Sequence, residues 1–509
     1  MSRVIVFFLL LVLLLISCSS AFEGPLENYV EDSSGSWAPP RKDGYLQFFP
    51  VWRASLNISG QNSTWSSPCF DHNVASLVTT SSGLHLQFEA SHQRHTLSGK
   101  CADMYLIATR QRFEIRRVTH TGTHTLQLDG GWKPTERTYV EQYGLQVFLV
   151  QGGALGFVYD LYKTYQLFFS PVYSEMDSLQ FLRDYVNWDP TPRNSTQMLV
   201  PDASEIHSGD VLFLFKFGPP HGGENAMEAY GTGGRSDHVA VFLWIDGVLY
   251  VTESIGGGGP DERSGIIRTE YRQWFAGASP AWMIDVCRLN PHRAALFDEE
   301  KAIRFFESVE GMPYGFHNYL FTWIDTPDAN YPPPLSKELV PLFFSFVDKL
   351  DPTLSDEMWG QALNKRLNTT GLDMTGIFRV LEERQQSFYE LVAMPEQDSW
   401  RYDGNQSLVC DTYVTKLLKE AGVFPGLDFE ATEFTPLNLY QLDIYAAFEE
   451  WDQPAVCAQV PPQTPRTPWC QLSGQYYLDL QQFSTIQPYD HMFQRCETLP
   501  PDYLMTEGC

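Results

Sequence analysis

The chain has 509 residues, a length that predicts two or three domains, because a single hydrophobic core stops growing at about 250–300 residues. Its 62 acidic side chains outnumber 35 basic ones and give a net charge of −27. This surplus of negative charge argues against nucleic acid and against anionic membrane surfaces as partners.

The first 21 residues have the pattern of a secretory signal peptide. Arg3 precedes an apolar run from Val4 to Ile16, and small residues follow up to Ala21. The run is too short to span a bilayer, and no later span or C-terminal lipid-anchor signal follows. We therefore expect no stable membrane anchor, and secretion or retention in a lysosome-like lumen. Five Asn-x-Ser/Thr sites agree with that route: Asn57, Asn62, Asn194, Asn368 and Asn405.

Residues 22–170 predict an N-terminal β-rich domain. Apolar residues alternate with polar ones at 84–88 and again at 145–149, and turn residues separate the stretches. Short strands at this spacing favour a sandwich or an open barrel. His120 and His124 are expected at the surface. The aromatic residues of this region favour core or edge positions over a sugar-binding face; they are Trp52, Trp65, Trp132, Tyr139 and Tyr143.

A second domain is expected over 202–445, after a boundary between residues 170 and 202. Its strands are predicted around 210–215, 237–245, 248–254, 266–268 and 282–287, and they should form a small antiparallel sheet. Residues 221–235 are rich in glycine and predict a loop. A helix is expected from Asp298, as its N-terminal cap, to a stop at Gly311.

Two further segments flank or interrupt this domain. Residues 319–400 contain three consecutive prolines and two or three predicted helices, and are expected to be a helical insertion that forms a lid or a wall. Residues 446–509 are rich in Pro, Gln and Cys and predict a disulfide-pinned extension. The glycines at 256–259 precede no helix, so they do not form a phosphate loop, and the sequence indicates no cofactor and no metal site.

Eight cysteines remain after the signal peptide, and their spacing leaves two arrangements open. Cys69 and Cys101 lie in one region, and four others lie in the C-terminal tail. The remaining two, Cys287 and Cys410, either form a fourth disulfide or are two free thiols.

A predicted β-hairpin brings a histidine and a glutamate together. Asp246-Gly247 is a two-residue turn, so Ile245 pairs with Val248 and the register of both strands is fixed. Because side chains alternate along a strand, His238 and Glu253 fall on the same face as diagonal neighbours. A carboxylate in that position can orient an imidazole.

Cys410 is predicted in the first turn of a helix. Apolar residues recur at helical spacing from Val414 to Ala421, Gly422 ends the helix, and Ser407 is expected to cap its first amides. The helix dipole and free amides at this end favour a thiolate, so we expect the pKa of Cys410 to be lowered and its own N–H to serve as an oxyanion donor.

A series of short motifs resembles the circularly permuted NlpC-like branch of the papain-like superfamily. In that branch the histidine strand precedes the cysteine helix, as here, and the resemblance covers roughly 202–440. The matching stretches are Gly209-Asp210-Val211-Leu212-Phe213, Ser236-Asp237-His238-Val239-Ala240-Val241, Leu249-Tyr250-Val251-Thr252-Glu253, Gly311-Met312-Pro313-Tyr314-Gly315-Phe316 and Leu408-Val409-Cys410-Asp411-Thr412-Tyr413-Val414.

The resemblance implies an α+β fold, with a permuted papain-like core made of an antiparallel sheet and a cysteine helix. It implies Cys410 as nucleophile, His238 as base and Glu253 as the third polar residue. Tyr314 matches a recurrent tyrosine of the family and is expected near the substrate. Asp237 is unusual beside the histidine and is assigned to substrate binding, while the long insertion leaves the shape of the cleft open.

The expected function is that of a secreted cysteine peptidase or amidase that acts on peptides or N-acyl amides through a thioester. One alternative is a non-catalytic glycan-binding glycoprotein on the same scaffold. Another is an acyltransferase or thioesterase that uses the same three residues. No Gly-x-Ser-x-Gly elbow or zinc-type His/Glu motif is present, so serine and metal hydrolases are not favoured.

Overall fold

The computed structural model describes residues 50–480. Within that range it leaves out 82, 97–98, 129–133, 151–158, 161, 168–173, 187, 195–196, 218–221, 233, 257–262, 322–337, 393, 428, 447–453 and 460–468. The predicted signal peptide, Trp132, the loop at 257–259, the three prolines, Cys496 and Cys509 therefore lie outside the described residues.

The described chain is a mixture of helices and antiparallel strands, which confirms the α+β class. The strands are β1 (Val51–Leu56), β2 (Ser63–Trp65), β3 (Phe70–Thr80), β4 (Gly83–Gln93), β5 (His95–Thr96), β6 (Gly99–Lys100), β7 (Asp103–Ala108), β8 (Phe113–Val118), β9 (Gly122–Gln127), β10 (Leu145–Val150), β11 (Val211–Phe215), β12 (His238–Ile245), β13 (Val248–Ile255), β14 (Gly265–Glu270), β15 (Met283–Cys287) and β16 (Trp469–Ser473).

The helices vary from single turns to twelve residues. They are α1 (Pro134–Tyr143), α2 (Ser174–Tyr185), α3 (Gly222–Thr232), α4 (Tyr271–Gly277), α5 (Pro291–Ala294), α6 (Glu299–Val309), α7 (Phe316–Tyr319), α8 (Val340–Leu350), α9 (Pro352–Ser355), α10 (Gln361–Arg366), α11 (Met374–Arg384), α12 (Phe388–Val392), α13 (Cys410–Glu420) and α14 (Pro436–Gln441). A π-helical segment, Asp356–Gly360, joins α9 to α10. In the part of the chain that the structure describes, no helix is long and apolar enough to cross a membrane.

The chain divides into two compact units. The first takes in the described residues up to 167 together with 338–352, and the second takes in 174–321 and 353–480. The segment expected as one helical insertion at 319–400 is thus divided between the units, because the apolar residues Leu339 and Leu342 pack in the core of the first unit beside Phe148.

The first unit contains two four-stranded antiparallel sheets, ordered β1-β10-β7-β8 and β2-β3-β4-β9. Alternate residues of β4 are buried, as its apolar pattern predicts. Residues from both sheets, including Leu77, Leu86, Ile107 and Val147, share one hydrophobic cluster. The unit is therefore built as two sheets around a common core, in the manner of a sandwich.

The second unit is organised around a six-stranded antiparallel sheet in the order β14-β13-β12-β11-β15-β16. Its central strand β11 is entirely buried, as expected for the unbroken apolar run Val211–Phe215. The last strand, β16, comes from the cysteine-rich tail and pairs with β15. The tail thus supplies an edge strand to this sheet.

The predicted hairpin register is confirmed. Ile245 pairs with Val248, and the pairing continues to Val241 opposite Thr252. Asp246 and Gly247 both have positive φ, at 52° and 77°, which is the geometry of a tight hairpin turn. The turn chemistry therefore fixes which residues of β12 and β13 share a face.

The prediction of a glycine-rich loop at 221–235 is wrong, because residues 222–232 form helix α3. The glycines lie near its ends, and the stretch between them contains good helix formers such as Glu224, Ala226 and Ala229. Ala226 and Ala229 are fully or almost fully buried, so tertiary packing stabilises a helix that the glycines alone argue against.

The predicted helix after Asp298 is confirmed as α6, with the Asp298 side chain accepting a hydrogen bond from the Lys301 amide. Two disulfides are present among the described cysteines, Cys69–Cys101 and Cys457–Cys470. Cys287 and Cys410 are both free and buried. The sequence leaves open either a fourth disulfide or two free thiols for this pair, and the structure has two free thiols.

Candidate active site

His238 and Glu253 form a buried hydrogen-bonded pair. The Nε2 atom of His238 lies 2.7 Å from Oε2 of Glu253, and both side chains are about nine-tenths buried. The Nε1–H of Trp274, on α4, donates to the other carboxylate oxygen at 2.9 Å. The carboxylate is thus fixed from two sides, and it fixes the plane of the imidazole.

The protonation states of this pair follow from its surroundings. Burial, aided by the charge of Lys216, lowers the pKa of His238 despite the nearby carboxylate. Burial opposes ionisation of Glu253, but the hydrogen bonds from His238 and Trp274, with the charge of Lys216, outweigh it and lower the pKa of this carboxyl. An ionised carboxylate only accepts hydrogen bonds, so Nε2 carries the proton. Nδ1 of a neutral His238 then keeps its lone pair and can act as a base.

Cys410 is the first residue of α13, as predicted, but Ser407 does not cap this helix. The N-cap residue is Val409, and no side chain accepts from the first amides. The Ser407 hydroxyl instead donates to Oδ1 of Asn318 at 2.8 Å and accepts from the Asn318 amide. The hydroxyl therefore ties the loop before the cysteine to α7, while Gly422, at φ 84°, ends the helix as expected.

Two hydrogen-bond donors fix the backbone of Leu408, which lies two residues before Cys410 in the chain. The carbonyl oxygen of Leu408 accepts from the Ser254 hydroxyl at 2.7 Å and from the Gly315 amide at 3.2 Å. The approach of the two chains is so close that a Cβ on Gly315 would lie 2.4 Å from the Leu408 nitrogen. Glycine is required here for space, and the contact fixes where the helix begins.

Adjacent residues of β13 therefore serve the two halves of the site. Glu253 orients the imidazole on one face of the sheet, and Ser254 holds the loop before the thiol on the other. The alternation of side chains along a strand produces this division.

The thiol of Cys410 lies against the start of β12. The Cys410 thiol donates a hydrogen bond to Oδ1 of Asp411 at 3.3 Å, and the nearby backbone amide of Val239 acts against burial to lower the pKa of the thiol. Val239 follows His238 directly in the chain, so the thiol lies near the backbone of the strand that carries the predicted base. The structure thus pairs His238 with Glu253 and places the Cys410 thiol close to the start of β12.

The expectation of a low pKa for Cys410 is wrong. Burial raises the pKa of this thiol well above its ordinary value, the charges of Asp411 and Glu228 raise it further, and the Val239 amide only partly opposes them. Position in the first turn of a helix favours a thiolate, but here two carboxyl groups and the loss of water outweigh it. The resting site therefore holds a neutral thiol beside a neutral imidazole.

The two residues predicted to bind substrate lie near the thiol but in different settings. Tyr314 is half-buried, and the Cys410 thiol is among the groups that raise its pKa, after burial. Asp237 is buried, its amide donates to the Leu214 carbonyl at 2.9 Å, and its charge raises the pKa of Glu228. Tyr314 is thus partly exposed close to the thiol, whereas Asp237 is buried and its charge acts on Glu228.

Several residues of the site escaped the sequence prediction. Trp274 and Tyr319 carry no sequence pattern that marks them. Glu228 lies on α3, whose sequence predicts a loop because of its glycines. Asp411 could be recognised from the sequence only as an acidic residue next to the cysteine. Among the described residues, no group of three or more His, Cys, Asp or Glu side chains could hold a metal ion.

Comparison with known proteins adds little to this geometry. No protein-family model matches the chain, and no curated protein matches it. Among solved structures, the metalloprotein yiiX of Escherichia coli O157:H7 is similar over 34% of this chain and 92% of its own, at 14% identity and a TM-score of 0.16. A score this low carries no argument about fold or activity.

Proposed function

We propose that this protein is an exported cysteine hydrolase that cleaves amide bonds of peptides or N-acyl amines. The observation that carries the proposal is the buried His238–Glu253 hydrogen bond, together with a Cys410 thiol whose pKa, raised by burial, is partly lowered by the amide of Val239, the residue after His238. A nucleophile, a base and a group that orients the base are the parts this chemistry needs.

In the first half-reaction, Nδ1 of His238 accepts the proton of the Cys410 thiol as the sulfur attacks the substrate carbonyl. Both groups begin neutral, so charge separates only as the attack proceeds, and Glu253 stabilises the imidazolium that forms. The N–H of Cys410, one of the first amides of α13, donates to the oxyanion. The imidazolium then protonates the departing amine, which leaves an acyl thioester on Cys410.

In the second half-reaction, the same imidazole accepts a proton from water, and the resulting hydroxide attacks the thioester. The tetrahedral species collapses, the sulfur leaves and regains its proton from His238, and the acid product departs. Because the enzyme returns to the neutral pair, a thiol with a raised pKa is compatible with turnover, provided that the proton moves with the attack.

The order of these parts along the chain supports a place in the permuted NlpC-like branch of the papain-like superfamily. The base lies on β12 and its orienting residue on β13, and the nucleophile follows at the start of α13. The signal-like N-terminus supports export. Four of the five glycosylation sites are exposed in the structure, and Asn405 is half-buried.

The test compares the wild type with Cys410→Ala on a panel of peptides and N-acyl amides, with Cys287→Ala as the matched control. We expect hydrolysis to fall at least about a thousandfold in Cys410→Ala, because the attacking atom is gone. Cys287→Ala should retain activity, because its thiol lies elsewhere on the sheet.

The panel also separates the alternatives. Transfer of the acyl group to an added alcohol or amine, with little release of acid, would assign the site to an acyltransferase. If the wild type leaves every substrate intact and forms no thioester detectable by intact mass, the proposal of a hydrolase is refuted.

A further inference from the structure

One titratable group of the site has no role in the reaction just described. Asp411 follows the nucleophile directly in the chain, is 3% exposed, and accepts the hydrogen bond of the Cys410 thiol through Oδ1. Its other oxygen, Oδ2, is buried and finds no hydrogen-bond partner among the described residues. A carboxyl group placed this way competes with His238 for the thiol proton.

Burial favours the neutral form of Asp411. Burial raises the pKa of Asp411 to about 7, although the amides of Asp411 and Thr412 oppose the shift. The surrounding elements contribute two further acids, Glu228 from α3 and Asp237 before β12.

Other charged and titratable groups also face this cluster. Lys216, at the end of β11, is the nearby cation that partly offsets the charge of Glu228. Tyr314, Tyr319 and Glu224 also belong to this set. The carboxyl group of Asp411 thus sits in a buried acidic environment and changes charge near neutral pH.

The charge of Asp411 acts directly on the sulfur. A carboxylate that accepts the S–H hydrogen bond stabilises the thiol and opposes a second negative charge next to it. A protonated carboxyl group no longer repels the thiolate and can donate a hydrogen bond to it. Ionised Asp411 therefore favours the protonated thiol, and neutral Asp411 favours loss of the thiol proton.

We propose that Asp411 is a positioning residue that keeps Cys410 protonated while its own carboxylate is charged, and frees the thiol for His238 when that carboxylate takes up a proton. This inference rests on the proposed function for its catalytic meaning, but it concerns the ionisation of one thiol. At a given pH, the thiol would then lose its proton more readily from the protein molecules in which Asp411 is protonated.

The test measures the rate of Cys410 alkylation by iodoacetamide against pH, in wild type and in Asp411→Asn. In the wild type we expect the logarithm of the rate to rise with pH, to flatten above pH ~7 as Asp411 ionises, and to rise again at higher pH. In Asp411→Asn the flat region should vanish. The variant should match the wild type well below pH ~7 and be at least about tenfold faster above it, since one pKa unit is a tenfold change in thiolate.

The matched control is Glu420→Gln, which removes one negative charge from the exposed far end of α13. The control should keep the flat region of the wild type. Loss of the flat region in Glu420→Gln, or its survival in Asp411→Asn, would overturn the proposal. The wild-type curve alone is decisive if the variant does not fold, because a rise through pH ~7 without a bend excludes the coupling.

The alkylation test of Asp411 and the hydrolysis test of the proposed function can fail independently of each other. A bend that Asp411→Asn removes, in a protein that hydrolyses no substrate of the panel, would support control of the thiol by Asp411 and refute the proposed function. Hydrolysis that depends on Cys410, without any bend, would support the function and overturn the role of Asp411.

Discussion

Among its described residues the second unit contains two buried free cysteines, and we propose that only one of them reacts. Cys287 is fully buried in the middle of the sheet, where it pairs with Val211 of β11 and with Trp469 of β16. Cys410 begins a helix, and the Val239 amide at the start of β12 partly lowers the pKa of its thiol. Burial raises the pKa of both thiols, so neither burial nor thiol acidity distinguishes them.

Position relative to the base does distinguish the two cysteines. On β11, the partner of Cys287 is Val211, whereas the partner of His238 is Leu214, three residues further along. That separation corresponds to about 10 Å along a strand. The comparison teaches that a reactive cysteine in this fold is identified by the proton acceptor beside it.

Removal of the His238 imidazole should have the largest effect on activity and on the difference in reactivity between Cys410 and Cys287. We expect His238→Gln to lower kcat/KM by roughly 10²- to 10⁴-fold, the usual contribution of a general base, and to make Cys410 as unreactive as Cys287. Steady-state hydrolysis measures the effect. His292→Gln, at an exposed position of α5, is the control and should behave as wild type. Equal losses in both variants would contradict the assignment of the base.

A smaller loss is expected when only the orientation of the imidazole is disturbed. Glu253→Gln keeps the shape of the side chain but removes its charge, so the imidazolium loses its stabilisation and activity should fall about tenfold or more. Because the two residues act as a unit, the double variant with His238→Gln should lose no more than His238→Gln alone. Losses that multiply in the double variant would show that Glu253 acts independently of His238.

The smallest effect should be on stability, and it concerns the contact that positions Cys410 but not Cys287. Gly315→Ala places a methyl group 2.4 Å from the Leu408 nitrogen, so the free energy of unfolding should fall by about 1–3 kcal/mol. Gly277→Ala meets no atom within 4 Å and is the matched control. Urea denaturation measures the stability of both variants. Equal stabilities would show that the contact between Gly315 and Leu408 is not tight.

Much of the site was predictable because local chemistry determines it. A two-residue Asp-Gly turn fixes the pairing of β12 and β13, so the meeting of His238 with Glu253 follows from counting residues. Helical spacing and Gly422 likewise predict helix α13 and its end, whereas the start near Cys410 was predicted from a Ser407 cap that the structure does not have.

The electrostatics of the thiol were not predictable in this way. The raised pKa of Cys410 comes first from burial and from the charge of Asp411. Glu228 adds to it because α3 folds as a helix against its neighbours. The role of Ser407 depends on Asn318, 89 residues away in the chain. Local rules describe what a residue can do, and tertiary packing decides which partner it meets.

The most direct measurement of the central claim is the labelling of both thiols by iodoacetamide in the folded wild-type protein, followed by peptide mass mapping. We predict that Cys410 is labelled at least about a hundredfold faster than Cys287, which should react only on unfolding, and that His238→Gln removes the difference. Equal protection of the two thiols, or a disulfide that joins Cys410 to Cys287, would contradict the account.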